Sequence, residues 1–138
     1  LLDKDTHMIK WYAYGDFTHQ HSPRITDKGT ILIFDNSSSK PKNGTSKIIE
    51  IKINTKKIVG SYEGYGDIFL ESQINGRIQL LKNRIFIQES DNGRLLELIC
   101  DNINNISKEC KQKIILEFKK EYIPFLSGNM YIADIITD

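Results

Sequence analysis

The sequence predicts an all-β chain: a β-propeller fragment of about two four-stranded antiparallel blades plus parts of neighbouring blades. Three observations carry this expectation. Short runs rich in Ile, Leu, Val, Phe and Tyr recur along the chain, each bounded by Gly, Asn, Asp or Ser, the residues that favour turns. The runs repeat at a spacing of about fifty residues, which is the period of propeller blades. No segment presents a convincing helical pattern. The nearest to one, Lys108 to Phe118, aligns instead with other strands that end in an aromatic residue.

Taken in order, Met8-Ile9-Lys10-Trp11-Tyr12 reads as the edge of a first blade, spanning 8–14. A full blade follows over 21–63, with runs near 21–26, 30–36, 46–53 and 56–63. A second occupies 76–118, with runs near 76–81, 84–89, 93–98 and 112–118, and Phe125 to Ile135 reads as the start of a further strand, 125–135. The clearest internal match pairs Ser46-Lys47-Ile48-Ile49-Glu50-Ile51 with Gly93-Arg94-Leu95-Leu96-Glu97-Leu98. Ile31-Leu32-Ile33-Phe34-Asp35-Asn36 likewise matches Ile85-Phe86-Ile87-Gln88-Glu89-Ser90, and Lys57 to Tyr62 matches Lys113 to Phe118. The tripeptides Tyr14-Gly15-Asp16 and Tyr65-Gly66-Asp67 point to a shared turn into the next blade. A closed propeller needs at least four blades, roughly 160 residues at this spacing. The expectation is therefore a C-terminal part of a longer chain, with the remaining blades of the same polypeptide as its partners.

Composition narrows the function classes. The chain is 39% hydrophobic and 27% charged, enough for an ordinary core and unlike a disordered segment. Formal charge is only +1 and the Lys and Arg residues are spread along the length, so no footprint for nucleic acid or an anionic membrane emerges. The longest apolar runs, Ile31 to Phe34 and Ile114 to Leu116, fall far below the roughly 18 residues of a membrane span. The chain begins Leu1-Leu2-Asp3, and localisation is not legible from that end. Cys100 and Cys110 flank a polar loop, where a disulfide formed in an oxidising compartment and a pair of free thiols are both open.

One stretch carries a family signature. At His19-Gln20-His21-Ser22-Pro23-Arg24, followed by Gly29-Thr30-Ile31-Leu32-Ile33-Phe34-Asp35-Asn36, the sequence resembles the arylsulfotransferases. Ser46 to Ile51, the turn at Asn54-Thr55, the strand ending at Tyr62, then Ser72, Gly76, Gln79, Leu81 and Glu89 to Glu97 continue in the family's order. The resemblance implies a propeller whose channel holds a sulfate ester between histidines and an arginine, one histidine being transiently sulfated. It implies sulfuryl transfer from an aryl sulfate to a phenolic acceptor without a cofactor, and a periplasmic or secreted location. A neutral imidazole would attack sulfur, cationic side chains would offset charge on the non-bridging oxygens, and a proton donor would assist the departing phenolate. His21 corresponds to the sulfate-contacting histidine of the family's Gln-His pair. Where the bacterial members carry an arginine shortly after Phe-Asp-Asn, this chain has Lys40, a point charge rather than a bidentate fork. No histidine follows His21 to match the family's sulfated one.

In a propeller the innermost strand of each blade lines the channel. That selects His21 and Arg24 in one blade, Gly76, Arg77 and Gln79 in the next, and Ser127, Gly128 and Asn129 in the last; with what the resemblance implies, His21 is the catalytic candidate and His19, Arg24, Lys40 and Arg77 are the substrate-binding candidates. The competing readings are a His21 bonded to a turn backbone and arginines that are merely solvated. His19 and His21, two apart on a strand, share a face at metal-ligand reach, and Asp16 is the nearest third ligand; a two-histidine site is weak, and no metal is expected. Trp11, Tyr12, Tyr62 and Phe118 could form an aromatic box, but their repeated place in the period favours blade packing. Asp35 and Glu89 at strand exits read as turn-setting residues. Asn36-Ser37-Ser38 and Asn43-Gly44-Thr45 fit a glycosylation pattern that an Asn-rich chain produces by chance. The alternatives to an enzyme are a non-catalytic propeller module that binds a small anion or a protein partner, and a purely structural array.

Overall fold

The computed structural model describes residues 1–36, 45–66, 68–72, 74–81, 84–90, 92–100, 106 and 110–117. Lys40, Phe118, Ser127, Gly128, Asn129 and the strand expected at 125–135 lie outside them, and the two glycosylation patterns extend outside them. Among the described residues the regular elements are all strands: β1 (Gln20–Ile25), β2 (Thr30–Asp35), β3 (Lys47–Lys52), β4 (Ile58–Tyr62), β5 (Gly64–Tyr65), β6 (Ile68–Phe69), β7 (Gly76–Leu81), β8 (Arg84–Glu89), β9 (Arg94–Ile99) and β10 (Lys111–Glu117). Every run predicted between 21 and 118 is a strand, displaced by at most a residue or two. The edge expected at 8–14 is not: Ile9 makes one antiparallel bridge to Leu2, and the N–H groups of Lys10 and Trp11 both donate to the Leu1 carbonyl. No helix among the described residues is long and apolar enough to cross a membrane.

Two four-stranded antiparallel sheets result, β1-β2-β3-β4 and β7-β8-β9-β10, each strand pairing with its sequence neighbour. A two-stranded hairpin, β5-β6, sits between them. Its tip carries Gly66 at φ 63°, a left-handed turn that glycine adopts without strain, whereas Gly15 of the other Tyr-Gly-Asp packs on the Phe17 ring with no such conformation. The two tripeptides are therefore different turns, and Asp67 of the second lies outside the described residues.

The unbroken apolar run of β2 has a simple cause: this strand is buried on both faces. Ile31 and Ile33 point to one side with Ile49 and Ile51, where Trp11, Phe17 and Ile53 cover them. Leu32 and Phe34 point to the other with Ile48 and Tyr62, and pack against Ile78, Ile85, Ile87, Leu96 and Leu98 of the second sheet. Each fully buried aliphatic or aromatic side chain contributes roughly 1.5–3 kcal/mol, so this shared cluster is the main bond between the sheets. The repeat shows which surfaces meet. Ile85, Ile87, Leu96 and Leu98 are the counterparts of Ile31, Ile33, Ile49 and Ile51, so the front of the second sheet lies on the back of the first. The stacking is front to back, not face to like face.

Two details bring the sheets close. A Cβ at Gly76 would fall inside the Phe34 ring, so only glycine lets the start of β7 sit there. At the outer side, the connection from β9 to β10 is closed by a disulfide between Cys100 and Cys110, which resolves the choice left open above. From that connection Ile106 enters the shared cluster with no exposed surface, and its N–H donates to Glu50 Oε2 at 3.3 Å.

Candidate functional site

β1 and β7 open their sheets and run side by side, and they differ in one respect. β7 pairs with β8 without interruption, Arg77 opposite Gln88, Ile78 opposite Ile87 and Gln79 opposite Phe86. In β1, His21 stands opposite Phe34 and Arg24 opposite Leu32, which leaves Ser22 and Pro23 bulged where β7 has Ile78 alone. Pro23, having no N–H to offer a ladder, fits that position. By register, then, His21 is the counterpart of Arg77, and Arg24 of Gln79.

The bulge places His21 between two residues in the left-handed region, His19 at φ 49° and Ser22 at φ 54°. Each such residue costs about 1–3 kcal/mol and persists only where its surroundings hold it. Here they do. Ser22 Oγ donates to the Ile78 carbonyl at 2.9 Å and accepts from the Ile78 N–H at 3.0 Å, a side chain acting as a bridge between the first strands of the two sheets. Asn36 Nδ2 donates to the carbonyls of His19, at 2.6 Å, and Ile74, at 2.8 Å. Its Oδ1 is left buried without a hydrogen bond, an arrangement that costs roughly 1–3 kcal/mol.

Among the predicted site residues, His21 and Arg24 share the face of the first sheet that looks onto the second, and both are half-buried. No hydrogen bond to the His21 imidazole is present among the described residues. Arg24 Nη1 donates to the Pro23 carbonyl at 3.2 Å. His19 is exposed. Arg77 is exposed too, on the face of the second sheet opposite to buried Ile78 and hence turned away from His21. Sheet geometry thus brings together His21 and Arg24 and separates Arg77 from them by one sheet. Among the described residues no third ligand joins His19 and His21 in a metal-holding group. The aromatic residues are dispersed: Trp11 covers the front of the first sheet and donates its indole N–H to Ile53, and Tyr62 is buried between the sheets with its hydroxyl on Gln112. Burial pushes the Tyr62 phenol well above its ordinary range. Tyr12 is exposed beneath the Lys56 ammonium, 4.0 Å from its ring centre, so it does not pack in a blade as expected.

Below the site each sheet repeats a charged latch. Asp35, at the end of β2, faces Lys47 across the ladder at 3.7 Å and accepts the Thr18 N–H at 2.8 Å. Glu89, at the end of β8, faces Arg94, with Nε to Oε2 at 2.6 Å and Nη2 donating to Oε1 at 2.9 Å, and accepts the Glu71 N–H at 2.5 Å. In both, the carboxylate ties down the segment that leads into its sheet. Burial raises the Glu89 pKa, against the lowering pull of Arg94 and of the Glu71 N–H. Sequence reasoning treated Asp35 and Glu89 as turn-setters and missed their bases. The signal was available, because the repeat aligns Asp35 with Glu89 and Lys47 with Arg94. Ser22 had no comparable signal beyond the proline after it.

The sequence model for arylsulfotransferases (ASST) matches residues 1–108, which take in the whole first sheet and the second as far as β9. No curated protein matches the chain, and no solved structure does. Because the match runs over well more than half of the sequence and includes the strands that carry His21, Arg24 and Arg77, the chain belongs to the arylsulfotransferase family.

Proposed function

We propose that the two sheets are consecutive blades of a propeller that transfers a sulfuryl group from an aryl sulfate to a phenolic acceptor, with His21 as the imidazole at the sulfate. The observation that carries the reading is the His21 imidazole: on a half-buried residue of the bulged first strand, without a hydrogen bond among the described residues and on the same face as Arg24. Front-to-back stacking supports the propeller. Such an interface leaves a front and a back unsatisfied at its ends, and turning further copies about an axis is the way to close it. The remaining blades are accordingly its partners, and they belong to the same polypeptide.

In the first step an imidazole nitrogen forms a bond to sulfur, the bond from sulfur to the aryl oxygen breaks, and the phenolate takes a proton from a donor in the channel. In the second the acceptor phenol loses its proton, its oxygen bonds sulfur, and the imidazole leaves neutral. Arg24 on the same face, with His19 and Lys40 nearby in sequence, offsets charge on the sulfuryl oxygens. The Cys100–Cys110 bond fits a compartment in which disulfides persist, periplasmic or secreted.

Incubating the whole polypeptide with a chromogenic aryl sulfate and a phenol tests the proposal. Turnover is expected, with a loss of about 100-fold or more in His21→Ala. One observation favours a second reading. The histidines of the chain are His7, His19 and His21, so none stands downstream of His21 as a second imidazole. On that reading the module binds a small anion or a protein without chemistry, and aryl-sulfate affinity that depends on His21 without release of phenol would select it. Neither turnover nor affinity would leave a structural array.

A further inference from the structure

We infer that Ser22 and Asn36 are positioning residues, which fix the backbone on either side of His21 against β7 and thereby set where its imidazole stands; this deepens the proposed function and rests on it. The geometry is specific to the sheet that carries His21. Ser22 spends its one proton on the Ile78 carbonyl and takes the Ile78 N–H in return, so it has no proton left for chemistry of its own. The counterpart of the bulge in the second sheet is Ile78 alone, in regular register, and it makes no such bridge. Asn36 commits both amide protons, one to the carbonyl of His19 and one to that of Ile74. Its counterpart, Ser90, reaches the segment before β7 through its own N–H, on the Asn75 carbonyl at 3.4 Å, while its hydroxyl accepts from Gln88 Nε2 at 3.3 Å within its own sheet.

His21 therefore lies between two ties, one at the residue after it and one at the second residue before it. Both reach into the chain on the β7 side, at Ile74 and Ile78, and both hold backbone in the left-handed region. Two constraints on one short stretch, at the price of a buried amide oxygen left empty, are more than the packing of an edge strand requires. They are what a side chain needs if it must present one nitrogen to a reacting centre, where a displacement of about 1 Å can cost on the order of 100-fold in rate.

Ser22→Gly is the decisive variant. Glycine adopts the φ of this residue without strain and removes the hydroxyl alone, so the fold is retained. Asn36→Asp, close in shape, replaces two donors by acceptors facing two carbonyls. The whole polypeptide carrying ring-labelled histidine gives the wild-type His21 ring resonance as the reference. Both variants are expected to shift and broaden that resonance. In Ser22→Gly, kcat for the aryl sulfate should fall about tenfold or more with KM changed less. If Asn36→Asp fails to fold, Ser22→Gly decides alone. A Ser22→Gly protein with the wild-type His21 resonance, in position and width, overturns the inference, whatever its activity. Absence of both turnover and aryl-sulfate affinity in the wild type defeats the functional reading instead, and the His21 resonance still decides the positioning.

Discussion

The first and second sheets are built on one plan, and they differ where each must do something the other does not. Their fronts are interchangeable, four aliphatic residues in each. Their backs are not: Leu32, Phe34, Ile48 and Glu50 in the first correspond to Phe86, Gln88, Leu95 and Glu97 in the second. The first back carries an apolar ring over Gly76, and the second has an amide in the ring's place. The turns differ as well. β3 passes to β4 through a short turn at 53–57, whereas β9 reaches β10 through a longer, disulfide-closed connection that feeds Ile106 into the neighbouring interface. The repeat supplies the sheet, and local departures from it supply the joints.

The sharpest way to break the comparison is through the latches. Glu89→Ala leaves the Arg94 guanidinium, 13% exposed, without its carboxylate, and the expected loss is about 3–5 kcal/mol. Asp35→Ala faces a lysine that is more exposed and farther away, and about 1–2 kcal/mol is expected. Urea midpoints of the two variants check this, and equal losses would mean that the latches are equivalent despite their geometry. Next comes the connection that only the second sheet has. Replacing Cys100 and Cys110 by alanine should cost about 2–3 kcal/mol, as expected for releasing a loop of this length, again read from urea midpoints.

Gly76→Ala tests the joint itself. Overpacking against the Phe34 ring should destabilise by about 1–3 kcal/mol, and Phe34→Leu in the same chain should recover part of it. At Gln20, the counterpart of Gly76, an alanine should change the melting temperature little. The smallest effect concerns Glu97, whose pKa is lowered first by its hydrogen bond with Arg84. A folded value below the unfolded one gives stability that is present above the ordinary glutamate range and is lost as pH falls through the folded value. Arg84→Gln should therefore be slightly less stable than wild type near neutral pH, and the two melting temperatures should converge in acid. Glu89 runs the other way, because burial raises its folded pKa and acid relieves that burden.

Much of the fold was legible because strand content and repeat period are local properties of the sequence. Ile31 to Phe34 and Ile85 to Ile87 announce themselves by composition, and the order of the sheets follows from the period. What stayed hidden depends on partners far away in sequence. The β5-β6 hairpin is too short to leave a pattern. Tyr12 and Tyr62 occupy the same place in the repeat, yet only Tyr62 meets a neighbouring sheet, and burial follows the neighbour rather than the residue. The bulge at Ser22 and Pro23 is invisible without the register of β2, and so is the separation of Arg77 from His21 by a sheet. His21 could be named from its motif; the ties that hold it could not.

Ile106 has a consequence for the order in which the chain becomes a structure. Its place is under Glu50 and against Gly60, in the unit that is translated earlier. The first sheet can form its ladder soon after Tyr62 leaves the ribosome, yet the seam beneath it stays incomplete until more than forty further residues have emerged. Nascent chains halted before and after that point should differ sharply in their resistance to protease at β3 and β4.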